Sequence, residues 1–390
     1  MMSATRISTP WLATLNFAKG VPYVVVMVIS LLMFRQMGLS VAETTALAAL
    51  GYLPWVLKCW WKPWTQRMLS PLAWVLLTEL LLVVTFTGMA FAFPTLWHVV
   101  LLLQLTAWLT AIHNVAADSL SSTATEKPRH RLTRELSRKF AVVIGQGVLV
   151  MLAGNLQVFY RHDMLYAWRL MFYLVAGLFL LLFFCHTLLQ SGAPKDIIQN
   201  SPPRGSWRGA LPLFLYPLSQ AMIGKVSILF LIDTGSSGGL GLSPQEFGLV
   251  MGTVGIIALT VGGLLGTKAI RRFGFATCLW PMTASMFLPG IVYVALSYYQ
   301  PDNLPLICLG VLVEQMGYGF GFALYLWLLR RISWREQGKS LMALSLMVGT
   351  VASGQLQQVL GYNGFFVTAL VLSALTVASA LMIRKIPTNK

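Results

Sequence analysis

The chain has 390 residues, of which 57% are hydrophobic and 10% charged, with a mean hydropathy of +0.72, whereas soluble domains carry roughly 25% charged residues. So much apolar surface needs lipid as its solvent, which excludes an ordinary soluble enzyme. A formal charge of +16 raises nucleic acid as a partner, but the basic residues sit in short clusters between apolar runs, where orientation in a membrane accounts for them and nucleic-acid binding does not.

Apolar runs of about 20 residues, the length that crosses a hydrocarbon core at about 1.5 Å per residue, recur along the chain. The N-terminus, MMSATRISTPW, continues into the first run without a small-residue cleavage site, so no cleavable signal peptide is expected. Six spans are predicted near residues 11–34, 43–62, 72–92, 97–120, 139–158 and 167–189. Six more follow near 210–232, 245–267, 276–298, 305–328, 341–358 and 364–383. The longest polar stretch, with SGAPK and NSPPRGSW, lies between the two sets and carries the turn formers of a linker. The expected organisation is an N-terminal six-helix bundle over 1–189, a cytoplasmic linker over 190–208 and a C-terminal six-helix bundle over 209–390.

With both termini placed in the cytoplasm, most of the 28 Lys and Arg fall on the inner side, including Lys58, Lys62 and Arg67, the cluster from Lys127 to Lys139, and Lys268, Arg271 and Arg272. Arg35, Arg161 and Arg169 fall outside or at the outer edge, the asymmetry of the positive-inside rule. The halves also look like copies. Gly38-Leu39-Ser40 with Glu43 enters span 2 and Gly241-Leu242-Ser243 with Glu246 enters span 8. Each Ser with a Glu three residues on is also a capping box, so duplication competes with convergence at two helix starts. Parallel six-span repeats are the plan of the major facilitator fold, an all-α membrane architecture of about 12 transmembrane helices in two pseudo-symmetric halves, with its solute site near the midplane.

An ionisable side chain within a span is costly unless it is partnered or faces water, so these residues are functional candidates. In span 1, Asn16, Lys19 and Tyr23 share a helical face, and Gly20 and Pro22 interrupt the helix there. Lys19 either receives an anionic solute group or snorkels to the inner surface. Glu79 in span 3 has no polar neighbour on its face and reads as structural or interfacial. Span 4 carries His113, Asn114 and Asp118, with Asn114 and Asp118 one turn apart. Asp118 reads as an inner gate, a helix-end salt bridge or a proton site, and His113 as a structural or a titrating residue.

Gln146 and Asn155 in span 5, and Gln355 and Gln358 in span 11, are candidates for lining or for interhelical hydrogen bonds. Span 7 presents Gln220 and Lys225, where the lysine either binds an anion or pairs with Asp233 two turns on. Span 10 places Glu314, Tyr318, Gly321 and Tyr325 on one face, with the carboxyl group near mid-helix. Burial disfavours the charged form of any carboxyl group, which is how a proton carrier is made; the competing reading is a salt bridge to Lys225 or Lys19.

Cys59, Cys185, Cys278 and Cys308 stand singly, with no C-x-x-C pair, and read as buried hydrophobes. Walker A, G-x-G-x-x-G and H-E-x-x-H motifs are missing, so neither metal, cofactor nor ATP hydrolysis is expected. That leaves an ion gradient or the solute's own gradient as the energy source.

Asn16-Phe17-Ala18-Lys19-Gly20-Val21-Pro22-Tyr23, Gly38-Leu39-Ser40 and Leu57-Lys58-Cys59-Trp60-Trp61-Lys62-Pro63-Trp64 resemble the F-A-x-G-[LVI]-P and L-K-x-x-W-x-P segments of the AmpG-like permeases, major-facilitator proteins that include muropeptide importers and are similar to acetyl-CoA transporters. Asn114-Val115-Ala116-Ala117-Asp118 is similar to that family's D-I-A-A-D segment, and Gly145-Gln146-Gly147 and Glu314 fall where its span 5 and span 10 motifs stand. The chain departs from the family at Asn114 and Gln66, where acids are usual, and in the Tyr216–Gln220 segment, which lacks the lysine and acid of muropeptide importers. The resemblance implies a proton-linked importer of an anhydromuropeptide or related cell-wall sugar-peptide in the bacterial inner membrane. Asn16, Lys19, Tyr23, Gln146, Gln220, Lys225 and Tyr318 are the expected solute contacts, and Asp118, Glu314, Asn114 and His113 the coupling or gating groups. Its partners would be a small solute, protons and lipid, with no obligate protein partner. A siderophore permease on the same scaffold, and a non-transporting membrane sensor or accessory protein, are the alternatives.

Overall fold

The structure, a computed structural model, describes residues 9–123, 137, 148–160, 162–188, 207–332 and 334–384. The expected linker over 190–208, apart from its last two residues, lies outside the described residues, as do Gln146 and the basic cluster from Lys127 to Lys139. Every element of three or more residues in the described part is helical. Nine helical stretches there are long and apolar enough to cross a membrane.

The first of these, Pro10–Gln36, is broken in the middle. Helix α1 (Thr9–Ala18) ends at a turn over Lys19 and Gly20. A short α2 (Val21–Val24) with Pro22 in its first turn then passes through a π-helical segment, Val25–Ile29, into α3 (Ser30–Gln36). The residues that break it are those the sequence marks: Gly20 carries no side chain, and Pro22 has no N–H to continue the α1 ladder. Helix α4 (Val41–Leu50) and α5 (Leu53–Val56) follow, then α6 (Lys58–Met68) with Pro63 inside it. Next come α7 (Pro71–Ala92), α8 (Leu96–Thr123), α9 (Val150–Phe159) and α10 (Met164–Leu188).

The second series begins with α11 (Trp207–Leu215) and α12 (Leu218–Ile232). Helix α13 (Pro244–Phe247) runs through a π-helical stretch, Gly248–Gly255, into α14 (Ile256–Phe273). After α15 (Phe275–Ser285), α16 (Leu288–Tyr299) and α17 (Leu304–Arg331), the chain forms α18 (Arg335–Leu372) and α19 (Ala374–Ile383). Gly361, at φ 67° and ψ −179°, bends α18 sharply, so the two spans expected near 341–358 and 364–383 meet at this glycine without a loop.

Both G-L-S-x-x-E copies fold alike. Ser40 and Ser243 each accept from the backbone N–H of Glu43 and Glu246, and each Glu carboxylate accepts from the N-cap backbone N–H in return. Gly38 and Gly241, at φ 85° and 67°, make the turn before each cap. The motif thus encodes a left-handed glycine turn, an N-cap and a reciprocal capping carboxylate, twice.

Contacts divide the chain into two compact units, Met1–Ser30 with Lys58–Ser201 and Leu31–Leu57 with Pro202–Lys390. In the first unit α7 packs on α8 and α10, and Trp11, Leu12, Leu15, Val75, Ala116, Ala117 and Leu120 form a buried cluster. In the second unit α3–α5, early in the sequence, pack with the helices that follow residue 207. Helices α14 and α17 approach closely along glycines: a Cβ on Gly262 would run into the Met316 carbonyl oxygen, and one on Gly319 into that of Leu259. Without a hydrophobic force between helices in lipid, close approach through small residues is what gains dispersion energy. Helix α4 meets α18 the same way, with Gly354 against Thr45 and Ala42.

Candidate functional site

In the first unit Asn16 and Lys19, beside the break in span 1, each reach a side chain of α8. Asn16, almost fully buried, donates from Nδ2 to the Leu12 carbonyl at 2.7 Å and to Ser121 Oγ at 3.4 Å, while its Oδ1 is buried without a hydrogen-bond partner. Lys19, at the turn, forms an ion pair with the Asp118 carboxylate. The lysine is largely covered, and Asp118 is exposed. The sequence-based candidates Lys19 and Asp118 are therefore brought together. Tyr23, half-buried, follows in α2, beyond the break. Asn114 has a buried Oδ1 without a partner. His113 is fully buried; its Nδ1 meets Thr78 Oγ1 at 3.1 Å, and its Nε2 has no partner. The Thr78 hydroxyl also lies within hydrogen-bond distance of the Trp74 and Val75 carbonyl oxygens, at 2.6 and 3.0 Å.

Glu79 and His186 form a constellation the sequence reading missed. Both are fully buried, with His186 Nδ1 2.7 Å from Glu79 Oε1. His186 Nε2 meets Thr14 Oγ1 at 3.0 Å, and Trp11 donates its indole N–H to the His186 carbonyl oxygen at 3.4 Å. The pair ties α1, α7 and α10 together. A carboxylate and an imidazole, each alone in an apolar run, was the available signal, because neither can stay unpartnered in lipid.

In the second unit Glu314 lies in the middle of α17, 5% exposed. Its Oε1 accepts from Gln315 Nε2 at 3.1 Å, and its Oε2 is buried with no hydrogen-bond partner. The rest of the expected polar face is divided. Gly321 sits against Met282 and Met286, and Tyr325 stacks on Tyr216 at 5.5 Å and donates to the Leu213 carbonyl at 2.8 Å. Tyr318, half-buried, packs on Phe322 at 5.2 Å. On α12, buried Gln220 donates to the Met286 carbonyl oxygen, and Lys225 places its ammonium 5.5 Å from the centre of the Tyr52 ring, a cation–π distance.

Asp233, expected as an alternative partner of Lys225, belongs to Arg35. Arg35 Nε and Nη2 donate to its two oxygens at 2.7 and 2.9 Å, Tyr362 donates at 2.6 Å, and Arg35 Nη1 reaches the Leu39 carbonyl at 2.7 Å. This bidentate pair, which sequence reasoning also missed, joins the ends of α3 and α12 to the residue after the Gly361 bend. A planar fork on a carboxylate fixes orientation as well as distance. Among the described residues no group of His, Cys, Asp or Glu is arranged to hold a metal.

No family model matches the sequence. The chain is 21% identical over 395 residues to a transporter named AmpG 4 of Rickettsia conorii, with 92% of each chain covered. It is 24% identical over 293 residues, 69% of this chain and 56% of the other, to an anhydromuropeptide permease of Escherichia coli. Among solved structures, the nucleoside transporter NupG superposes with a TM-score of 0.71 at 14% identity, covering 97% of this chain and 99% of that one. That likeness gives the fold, the one shared by major-facilitator transporters. With apolar helices long enough to span a bilayer and relatives that are transporters along most of its length, the chain is a multi-pass membrane transporter that resembles the AmpG permeases.

Proposed function

We propose that the chain is a proton-coupled secondary transporter that imports an anhydromuropeptide or related cell-wall sugar-peptide across the bacterial inner membrane. The observation that carries the solute class is the alignment over 293 residues with the anhydromuropeptide permease. Twelve spans in two six-helix halves joined by a linker over 190–208, with both termini in the cytoplasm, complete the reading and follow from the distribution of basic residues. No catalytic chemistry is required of it.

Glu314 is the proposed proton carrier. A mid-helix carboxyl group with one oxygen unpartnered has a place for a proton and little to hold a charge. Lys225, held near an aromatic face, and Gln220 and Tyr318 are proposed as solute contacts in the second unit. Asn16, Lys19, Tyr23 and Gln146 take that role in the earlier part of the chain, with Asp118, Asn114 and His113 as gating groups. The Lys19–Asp118 pair supports a gate that opens as the pair separates, since a partly exposed ion pair is weak enough to break in a working cycle. The Arg35–Asp233 pair is proposed as a second gate.

Uptake of labelled anhydromuropeptide into proteoliposomes, with and without an inward proton gradient, tests the reading. Accumulation above equilibrium only with the gradient supports it. Equal uptake without a gradient removes the coupling, and no uptake by folded protein removes the solute, in which case a labelled siderophore is the next probe.

A further inference from the structure

Glu79 and His186 have no part in solute or proton handling as described above, yet both are ionisable and fully buried. Glu79 comes from α7, His186 from α10, and Thr14 of α1 completes the contact. Both ring nitrogens of His186 are engaged, Nδ1 at 2.7 Å from Glu79 Oε1 and Nε2 at 3.0 Å from Thr14 Oγ1. The Thr14 hydroxyl has carbonyl acceptors for its own proton, on Trp11 at 3.0 Å and on Pro10 at 3.2 Å, so its oxygen can also accept from Nε2. Trp11 packs edge-on against the imidazole, with ring centres 5.8 Å apart.

Proton number at the pair follows from what surrounds it. An ionised Glu79 beside a neutral His186 is a net negative charge in an apolar interior, and Glu79 Oε2 is buried without a hydrogen-bond partner. One further proton makes the pair neutral as a whole, either as carboxylate and imidazolium or as carboxylic acid and imidazole. Oε2 has no acceptor beside it, so that proton belongs between Oε1 and Nδ1, and Nε2 then carries a hydrogen in either form. A second further proton would leave an imidazolium with no counter-charge. Among the described residues of the packed helices, the other ionisable groups toward the pair are few. Helix α8 brings His113, which meets Thr78 beside Glu79, and the Lys19–Asp118 ion pair stands at the end of α1; α9, packed on α10, has no ionisable side chain.

We propose that Glu79 and His186 form a proton-binding site within the first unit, holding one proton between Oε1 and Nδ1 and keeping Nε2 protonated toward Thr14, so that α1 is docked on α10 while the proton is bound. When the proton leaves to solvent, Nδ1 keeps the remaining hydrogen against the carboxylate and Nε2 loses the one it gave to α1. The pair is then an uncompensated charge that water stabilises, which favours displacement of α1. The site is separate from Glu314 and stands whichever solute is carried.

The test counts protons released when the purified full chain is unfolded with sodium dodecyl sulfate from weakly buffered detergent at about pH 8, where an unfolded chain holds ionised Glu and neutral His. The wild type should release about one proton more than Glu79→Gln, whose amide keeps the contact without an ionisable proton. His113→Asn should release as many as the wild type, which places the proton on the pair and not on the neighbouring histidine. Hydrogen exchange of the α1 amides reads the docking. Their protection, corrected for the intrinsic rate, should fall about tenfold per pH unit above about pH 8 in the wild type and stay level in Glu79→Gln. Equal proton release by the wild type and Glu79→Gln would overturn the proposal, as would α1 protection with the same pH dependence in both. Should Glu79→Gln not fold, nitrogen NMR of the wild-type chain with isotope-labelled histidine takes its place, with His186 identified through its contact with the Trp11 ring. Nε2 carrying a hydrogen at about pH 8 supports the site, and a bare Nε2 overturns it.

Discussion

Asp233 accepts three hydrogen bonds from two side chains, and its value lies in how they divide. Arg35 supplies charge and geometry, whereas Tyr362 adds one bond to an oxygen already paired. Asp233→Asn should lower stability by about 2–3 kcal/mol, less than a fully buried pair because Arg35 is 27% exposed. Tyr362→Phe should cost only about 1 kcal/mol. Thermal unfolding in detergent orders the two, and a larger loss for Tyr362→Phe would contradict the division. Glu79 allows a sharper comparison, since Glu79→Gln keeps a partner for His186 Nδ1 and Glu79→Ala leaves that nitrogen buried and unpaired. The alanine variant should be at least about 2 kcal/mol less stable than the glutamine variant by the same measurement. At this scale little was legible beforehand. Helical spacing is the distance a sequence displays, and it offered Lys225 to Asp233; the true partner lies 198 positions away. Glu79 had no neighbour on its own helix for the same reason, its partner being 107 positions distant.

Helix starts and bends are where local sequence determines structure most directly. Both capping boxes were legible because all their atoms lie within four residues, and the glycine turn before each one adds a constraint that a bare Ser and Glu do not impose. Ser243→Ala should cost about 1 kcal/mol. Gly361→Ala should cost about 1–2 kcal/mol, since alanine at φ 67° is strained even though nothing crowds the position. Gly319 is the opposite case, with ordinary helical backbone and no space. Gly319→Val drives a side chain into the α14 backbone and should cost about 3 kcal/mol, read as lost folded yield and a lower unfolding midpoint. Equal tolerance of valine at Gly319 and Gly224, where a Cβ meets nothing, would contradict the close packing. The break in span 1 was legible from Gly20 and Pro22, but the π-helical stretches were not. No residue type in Val25–Ile29 marks a π-helix.

For the whole molecule, hydropathy carried most of the fold, because a chain in lipid must satisfy its backbone within each helix and long apolar runs leave few alternatives. The all-helical membrane class follows from that, and the major-facilitator fold, expected from two repeated sets of spans, agrees with the likeness to NupG. The grouping of Leu31–Leu57 with the later helices was not legible, since packing between segments far apart in sequence leaves no periodicity to read. The proposed function depends on whether transport is proton-coupled and whether Glu314, buried with one oxygen unpartnered, carries the proton. The most direct measurement is accumulation of labelled anhydromuropeptide in proteoliposomes under an inward proton gradient, for the wild type and Glu314→Gln side by side. Concentrative uptake by the wild type, falling at least about tenfold to the no-gradient level in a variant that still folds, is the expected result. Unchanged gradient-driven accumulation in Glu314→Gln would contradict it.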